Sequence, residues 1–438
     1  MLHIDFRPHR TSLTAGTTSP QKVFAMLKVI PDEEATRARP SLAFAFVVDT
    51  SGSMYDPAER GSSRTKLEQA MQAAHQLVDD DRLLSTDQVA VIQFSDRARQ
   101  LLPLTPLAQK DGIHAAITSL RKFSGGTRLA KGLEEAQLAF RTLQSHAVTR
   151  VLTLTDGETQ DERRCRSLAK AFGDANMPII GLGIGHSYNE RLLLEMASSS
   201  QGRAYHLSDM AHISTYLDRE AKMSVKEVVT DVQATVTTVR GTTFVSLTRV
   251  YPNLSDIALD QMPYRLGNLA AGDFTVYSLE FAVGGIARPP SRARVAQLTL
   301  TAHGASTGQS QSLPPLDLFV NFTEDTAAVA VVDPEVLGYV QQKNVDQLIQ
   351  DAMRQSGQPQ KAREALITAI GLTQNVGNPG MTRMLTSAIE ELDATGSISA
   401  DTVKTVRVGG RTMTVRSDAP STSAPRPSDE MIHKATGL

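Results

Sequence analysis

The amino-acid sequence predicts an α/β fold: a doubly wound, mostly parallel sheet inserted in or followed by a β-sandwich, then a small C-terminal helical segment and a disordered tail. Three observations predict this fold. Strand and helix patterns alternate over residues 40–222. Short strand patterns, punctuated by Gly, Pro and Asn at the spacing of a sandwich, fill residues 224–332. Over residues 334–394, apolar residues recur every three or four positions, which predicts two or three short helices that pack on the sandwich or carry an interface.

The composition is that of an ordinary soluble protein with more than one core. A chain of 438 residues is long enough for two or three domains. The formal net charge of −2 argues against attraction of the whole protein to nucleic acid or to an anionic membrane. Tryptophan is absent and aromatic residues make up 5% of the chain, which disfavours a base-stacking platform.

The cellular compartment is predicted from the cysteine content and the apolar segments. The single cysteine, Cys165, cannot form an internal disulfide, which favours a reducing compartment. The amino terminus mixes acidic and basic residues and does not have the pattern of a signal peptide. No stretch approaches the ~20 apolar residues that span a bilayer. We therefore expect a cytoplasmic protein.

Residues 1–36 contain two strand patterns, over residues 2–6 and 22–30, with turn residues between them. Two strands alone are marginally stable in water. We expect them to pair with the β-rich region at 224–332, which would make residues 40–222 an insertion in a split sandwich.

Oxygen-bearing side chains follow the first buried strand pattern of the α/β segment, which covers residues 42–49. Asp49, Ser51 and Ser53 lie where this strand ends, and ligands bind at the carboxyl ends of strands in open α/β sheets. A carboxylate and two hydroxyls suit a hard cation such as Mg²⁺ or Mn²⁺. The same residues also suit a Ser/Gly turn that leads to a helix N-cap.

Two later stretches place similar side chains at strand ends. Ser124-Gly125-Gly126-Thr127 precedes a helical pattern, and Thr155-Asp156-Gly157 follows a second buried strand pattern. A motif becomes specific only when its structural context agrees. The three stretches together therefore favour a metal site over an isolated turn.

These stretches resemble the von Willebrand factor A domain and its metal-ion-dependent adhesion site. That site combines DxSxS after the first strand, a Thr in a later loop and an Asp after the fourth strand, often within TDG. The matching residues are Asp49, Ser51, Ser53, Thr127 and Asp156. The resemblance covers residues 40–222 and implies that these side chains hold Mg²⁺ (or Mn²⁺). It further implies direct contact by Ser51, Ser53 and, depending on state, Thr127, with the two aspartates often acting through water.

The resemblance implies a metal-dependent protein-binding module that captures an Asp or Glu of a partner protein. We expect a bacterial, cytoplasmic adaptor without enzymatic activity, in a signalling or conflict system. One alternative is a subunit that couples a AAA+ ATPase to its substrate. A metal-dependent hydrolase is less favoured, because the chain lacks a P-loop pattern. The polar loop 55–65, beside the proposed metal, either shapes partner choice or is an idle insertion.

The carboxyl-terminal part contains a basic stretch and a low-complexity tail. Residues 403–416 alternate about Gly409-Gly410, which predicts a basic hairpin. This hairpin is either a solvated edge or a segment on which a kinase and phosphatase pair acts, at Thr412 or Thr414. Residues 417–438 are rich in Ser, Pro, Ala and Thr, which predicts a disordered tail.

Overall fold

The fold begins with three amino-terminal strands. The computed structural model describes residues 2–32, 39–59, 62–143, 147–208, 210–285, 290–355 and 358–417. The predicted tail, residues 417–438, lies outside the described residues except for Ser417. The strands are β1 (Leu2–Pro8), β2 (Ser12–Thr14) and β3 (Gln21–Pro31). β1 and β3 pair antiparallel, so that Phe6 lies opposite Leu27.

The α/β domain follows as alternating strands and helices. Its elements are β4 (Leu42–Asp49), α1 (Lys66–Val78), β5 (Gln88–Phe94), β6 (Ala98–Pro106), α2 (Lys110–Ser119), α3 (Leu129–Phe140), β7 (Val148–Thr155), α4 (Glu162–Asp174), β8 (Ile179–Ile184), α5 (Glu190–Ser199), β9 (Arg203–Leu207) and α6 (Ile213–Val225). The sheet order is β6-β5-β4-β7-β8-β9. All neighbours are parallel except β5 and β6, which pair antiparallel. The predicted α/β fold with a mostly parallel sheet is therefore confirmed.

Strand β4 lies at the centre of this domain and is buried on both faces. Phe44, Phe46 and Val48 pack in one apolar cluster with residues of α1, α2 and α6. Ala45 and Val47 point the other way, into a cluster with residues of α3, α4 and α5. Because side chains alternate along a strand, both helical layers pack against β4. The end of this strand is thereby held firmly at one edge of the sheet.

A second unit consists of two sheets that share one core. Its remaining strands are β10 (Glu227–Thr238), β11 (Thr242–Tyr251), β12 (Ser255–Ile257), β13 (Tyr264–Ala270), β14 (Thr275–Val283), β15 (Ser291–Gly304), β16 (Ser310–Ser312) and β17 (Leu316–Thr323). One sheet has the order β1-β3-β14-β11-β12, and the other has the order β13-β10-β15-β17-β2, with β16 beside β15. Leu27 and Tyr277 of the first sheet join Leu298 and Val320 of the second in one apolar cluster. These two sheets contain the strands of the region for which the sequence predicts a β-sandwich, and the sandwich itself stays a prediction.

The amino-terminal strands belong to these two sheets rather than to the α/β domain. β3 pairs antiparallel with β14, and β2 pairs parallel with β17. The α/β domain is thus inserted in the chain between β3 and β10. A strand that joins an existing sheet gains the hydrogen bonds and the apolar face that an isolated hairpin lacks.

Helices complete the described chain. They are α7 (Thr326–Ala330), α8 (Pro334–Arg354), α9 (Pro359–Asn375), α10 (Pro379–Thr395) and α11 (Ala400–Thr412). Val336 and Tyr339 of α8 pack on Met26 and Val276 of the first sheet. In the described part of the chain, no helix combines the length and the apolar content that a bilayer crossing requires.

The predicted basic hairpin at 403–416 is wrong, because residues up to Thr412 form helix α11. Ser399 caps this helix by accepting a hydrogen bond from the Thr402 backbone. Gly409 and Gly410 allow neighbouring helices to pack closely and do not form a turn. A Cβ atom at Gly410 would lie 2.9 Å from Ile349 Cδ1, and one at Gly409 would lie 2.9 Å from Met384 Sδ. The two glycines let α11 approach α8 and α10.

Two helical glycines in the α/β domain differ in their surroundings and allow a matched test of packing. In α4, a Cβ atom at Gly173 would lie 2.1 Å from the backbone oxygen of Ser199, whereas one at Gly112 in α2 meets nothing within 4 Å. Gly173→Ala should therefore lower the free energy of unfolding by about 1–3 kcal/mol through overpacking. Gly112→Ala should raise it by roughly 0.5–1 kcal/mol, because alanine favours helix. Urea denaturation of both variants measures the difference, and equal effects would contradict the close approach of α4 and α5.

Candidate metal centre

Two aspartates lie side by side at the rim where β4 and β7 end. The two strands are parallel neighbours, with Val48 paired to Leu154. Asp49 is the last residue of β4, and Asp156 directly follows β7. Their exposed fractions are 0% and 2%. Carboxylates are rarely buried to this degree without a partner, so the rim is a candidate site.

A network of hydrogen bonds joins these aspartates to the serines of the DxSxS stretch. Asp49 Oδ1 accepts from the Ser51 backbone N–H at 2.8 Å, and Asp49 Oδ2 accepts from Thr155 Oγ1 at 2.7 Å. The hydroxyl oxygens of Ser51 and Ser53 are 3.3 Å apart. Ser53 Oγ donates to Asp156 Oδ1 at 2.7 Å. The structure thus brings four of the predicted site residues together.

Thr127, the fifth predicted residue, lies in a loop that contacts both neighbouring stretches. The Gly52 backbone N–H donates to the Gly125 carbonyl at 3.1 Å, and the Gln160 N–H donates to the Thr127 carbonyl at 3.2 Å. A Cβ atom at Gly157 would lie 3.3 Å from Thr127 Oγ1. The Thr127 hydroxyl therefore lies beside the residue that follows Asp156.

Two side chains of this centre are not among the site residues predicted from the sequence. Lys66, the first residue of α1, places its Nζ 2.7 Å from Asp156 Oδ2. The Lys66 side chain is 19% exposed and that of Asp156 is 1% exposed, so the ion pair is largely shielded from water. The other missed residue is Thr155, which directly precedes Asp156 and could have been noticed for that reason. Nothing in the sequence distinguishes Lys66 from an ordinary helical lysine.

The electrostatics of the centre favour a cation. The pKa of Asp49 is raised to about 6, mainly by burial and in smaller part by the Asp156 carboxylate, although hydrogen bonds from Ser51 and Thr155 oppose the shift. Lys66 supplies one positive charge for two buried carboxylates. An additional cation at the rim would relieve this excess of negative charge.

The available donors fit a hard divalent ion. The oxygens of Asp49, Ser51, Ser53 and Asp156 converge without nitrogen or sulfur ligands, and oxygen ligands suit Mg²⁺ and Mn²⁺. In the regions that the structure describes, no cluster of three or more His, Cys, Asp or Glu side chains offers an alternative metal site.

The rim is accessible to a large ligand. Gly52, Ser124, Arg128 and Glu158 surround it and are exposed. The adjoining loop 55–65, of which residues 60 and 61 are outside the described part, is held by several contacts. The Tyr55 hydroxyl donates to the carbonyl oxygen of Arg121 at 3.1 Å. This contact links the loop to the segment that leads to Thr127.

Other reactive side chains considered in the sequence do not join this centre. Cys165 is buried, and burial raises the pKa of its thiol, so it is not poised as a nucleophile. His75 and His114 contact each other, with 2.6 Å between their Nδ1 atoms. Thr412 donates its hydroxyl to the Val408 carbonyl at 2.9 Å within α11. Thr414 is half-buried, and its hydroxyl oxygen has no partner in the described regions.

Comparisons with known proteins agree with this fold. Residues 44–219 match the family model of the von Willebrand factor type A domain. An uncharacterized Escherichia coli protein, YfbK, is 25% identical over 233 residues, which are 52% of this chain and 39% of that protein. The chain spans less than half the length of the curated relatives it matches first.

Two solved structures are similar over nearly the whole chain, at identities that establish the fold alone. A von Willebrand factor type A protein from Catenulispora acidiphila has a TM-score of 0.79 at 21% identity, covering 95% of this chain and 97% of that one. The ArnB paralog VWA2 from Sulfolobus acidocaldarius has a TM-score of 0.62 at 15% identity, covering 95% and 99%. Residues 44–219 of this chain therefore form a von Willebrand factor type A domain.

Proposed function

We propose that this protein is a metal-dependent protein-binding module, a bacterial cytoplasmic adaptor without enzymatic activity. It captures an acidic side chain, Asp or Glu, of a partner protein at the rim of β4 and β7. Von Willebrand factor type A domains commonly bind a divalent metal and mediate protein interactions. The observation that carries the proposal is the convergence of two buried carboxylates and two serine hydroxyls at an accessible rim.

In this proposal the five site residues contribute to Mg²⁺ or Mn²⁺ binding in different ways. Ser51 and Ser53 present neutral hydroxyl oxygens, and the Thr127 hydroxyl lies in the adjacent loop. Asp49 and Asp156 accept hydrogen bonds and orient the surrounding donors from their buried positions. When bound, the metal supplies a positive charge and a coordination position that a partner carboxylate can occupy.

Lys66 opposes metal binding in this proposal. Its ammonium contacts Asp156 Oδ2 at 2.7 Å and already neutralises part of the negative charge. A like charge next to an incoming cation lowers its affinity. The partner carboxylate, in contrast, is attracted both by the metal and by the ammonium. Lys66 thus sets the balance between metal affinity and affinity for the acidic partner.

The double variant Asp49→Ala with Ser51→Ala tests the binding function. Affinity capture should be carried out on three samples. These are immobilised wild-type protein in Mg²⁺, the immobilised variant in Mg²⁺, and immobilised wild-type protein in excess chelator. We expect proteins identified by mass spectrometry to be depleted at least about tenfold in the last two samples, because the oxygen ligands or the metal are lost.

The matched control for this capture is Asp393→Ala with Ser397→Ala, which removes the same groups from exposed positions, Asp393 on α10 and Ser397 in the loop that follows it. This control should retain capture, and circular dichroism should show that both double variants remain folded. Partners that persist in the Asp49/Ser51 variant or in chelator would contradict capture through the metal.

Lys66→Met tests the role of the ammonium. Removing the positive charge should strengthen Mn²⁺ binding on the order of tenfold, because the two carboxylates are then less neutralised. The same variant should be less stable than wild type without metal, since Asp156 loses its partner. Isothermal titration with Mn²⁺ and thermal melting measure the two effects. Lys361→Met removes an exposed charge on α9 and serves as control, and Mn²⁺ affinity equal to this control would overturn the role of Lys66.

A further inference from the structure

A second candidate site lies at the opposite end of the parallel sheet. A cavity of about 440 Å³, here called the basic cavity, separates the amino ends of β7 to β9 from the two antiparallel sheets. The cations on its wall are Arg150, Arg203, Arg219, Lys226, Arg249 and Arg416. Its volume is in the range of about 300–1,000 Å³ that is typical of small-molecule sites.

Three arginines of the basic cavity are buried, and two of them have acidic partners. Arg150, Arg203 and Arg249 are 1%, 7% and 4% exposed. Arg150 pairs with Glu227, and Arg203 Nε donates to Glu220 Oε1 at 2.9 Å. Glu227 also accepts from Asn268, so its carboxylate is fully used.

Arg249 has no carboxylate partner in the described regions. Its guanidinium reaches only the carbonyl oxygens of Gln201, Gly202 and Asn253, at 3.4–3.5 Å. Its pKa is lowered to about 10, mainly by burial and in smaller part by the charges of the other two buried arginines, although Tyr277 and Glu227 oppose the shift. A buried guanidinium with weak contacts is costly unless an anion accompanies it.

The mouth of the basic cavity adds further positive charge. Arg219 and Lys226 are exposed and form no ion pair with any described residue. Arg416 also lies at this wall, but it donates to Asp273 Oδ1 at 2.8 Å. Three buried polar atoms of the cavity wall lack partners in the described regions, namely Arg150 Nε, Thr414 Oγ1 and the acceptor Gln201 Oε1. Charge and unpaired donors therefore both favour a bound anion.

We propose that the basic cavity binds a small phosphorylated anion. A phosphate group carries about −1.5 to −2 charge and offers three acceptor oxygens, which suits the unpaired cations Arg219, Lys226 and Arg249. Planar guanidinium groups match phosphate oxygens in paired hydrogen bonds. The site lies apart from the metal rim, because Arg150 and Arg203 are near the amino ends of their strands and Asp156 follows a carboxyl end.

Isothermal titration of the full chain tests the proposal, with inorganic phosphate, pyrophosphate and adenosine monophosphate as probes at constant ionic strength. The wild type should bind at least one probe saturably, and the pattern among the three separates free phosphate from phosphate esters. Arg219→Gln with Lys226→Gln should weaken this binding at least about tenfold, because both charges face the mouth. These side chains are exposed, so the variant is expected to fold.

Two comparisons make the result specific. Lys361→Gln with Arg383→Gln removes the same charges from exposed positions on α9 and α10 and should bind within about twofold of wild type. Arg249→Lys keeps the positive charge but loses the planar guanidinium group, and should also bind the phosphate probes more weakly than wild type. Binding should persist in excess chelator. The proposal is overturned if wild type binds none of the probes at ~10 mM, a concentration well above typical ligand affinities, or if the Arg219/Lys226 variant binds like its control.

Discussion

The parallel pairing of β4 with β7 is the constraint on which the metal centre depends. Because both strands are buried on both faces, their ends cannot shift independently, and Asp49 and Asp156 stay adjacent at one rim. Neither carboxylate is solvated, so each must be stabilised by neighbouring donors. Thr155, Ser53 and Lys66 fill that role. The core of the domain thus fixes the positions of the two aspartates.

Strand β7 also connects the two ends of the sheet. β7 carries Arg150 near its amino end and is followed by Asp156 at its carboxyl end. The carboxyl end is rich in buried acid and the amino end is rich in buried arginine. Cations are therefore favoured at one edge of the sheet and anions at the other. The two sheets of the second unit lie against the basic edge across the basic cavity.

The parts of the fold with a clear hydrophobic periodicity could be predicted from the sequence. The strands around Asp49 and Asp156 are continuous apolar runs, and the DxSxS spacing located the serines correctly at a strand end. The hairpin predicted at 403–416 is wrong because Gly409 and Gly410 allow close helix contacts and do not form a turn. Lys66 and Arg249 could not be found, since their roles depend on residues distant in sequence, such as Asp156 and Gln201.

The most direct test of the metal centre is the anomalous diffraction of crystals of the full chain grown with Mn²⁺. The account predicts an anomalous peak at the rim, within coordination distance of the Ser51 and Ser53 hydroxyls and close to Asp49 and Asp156. It also predicts that Lys66 Nζ is farther from Asp156 than the 2.7 Å of the present structure. A map with Mn²⁺ bound only elsewhere, and with the Lys66–Asp156 contact intact, would contradict it.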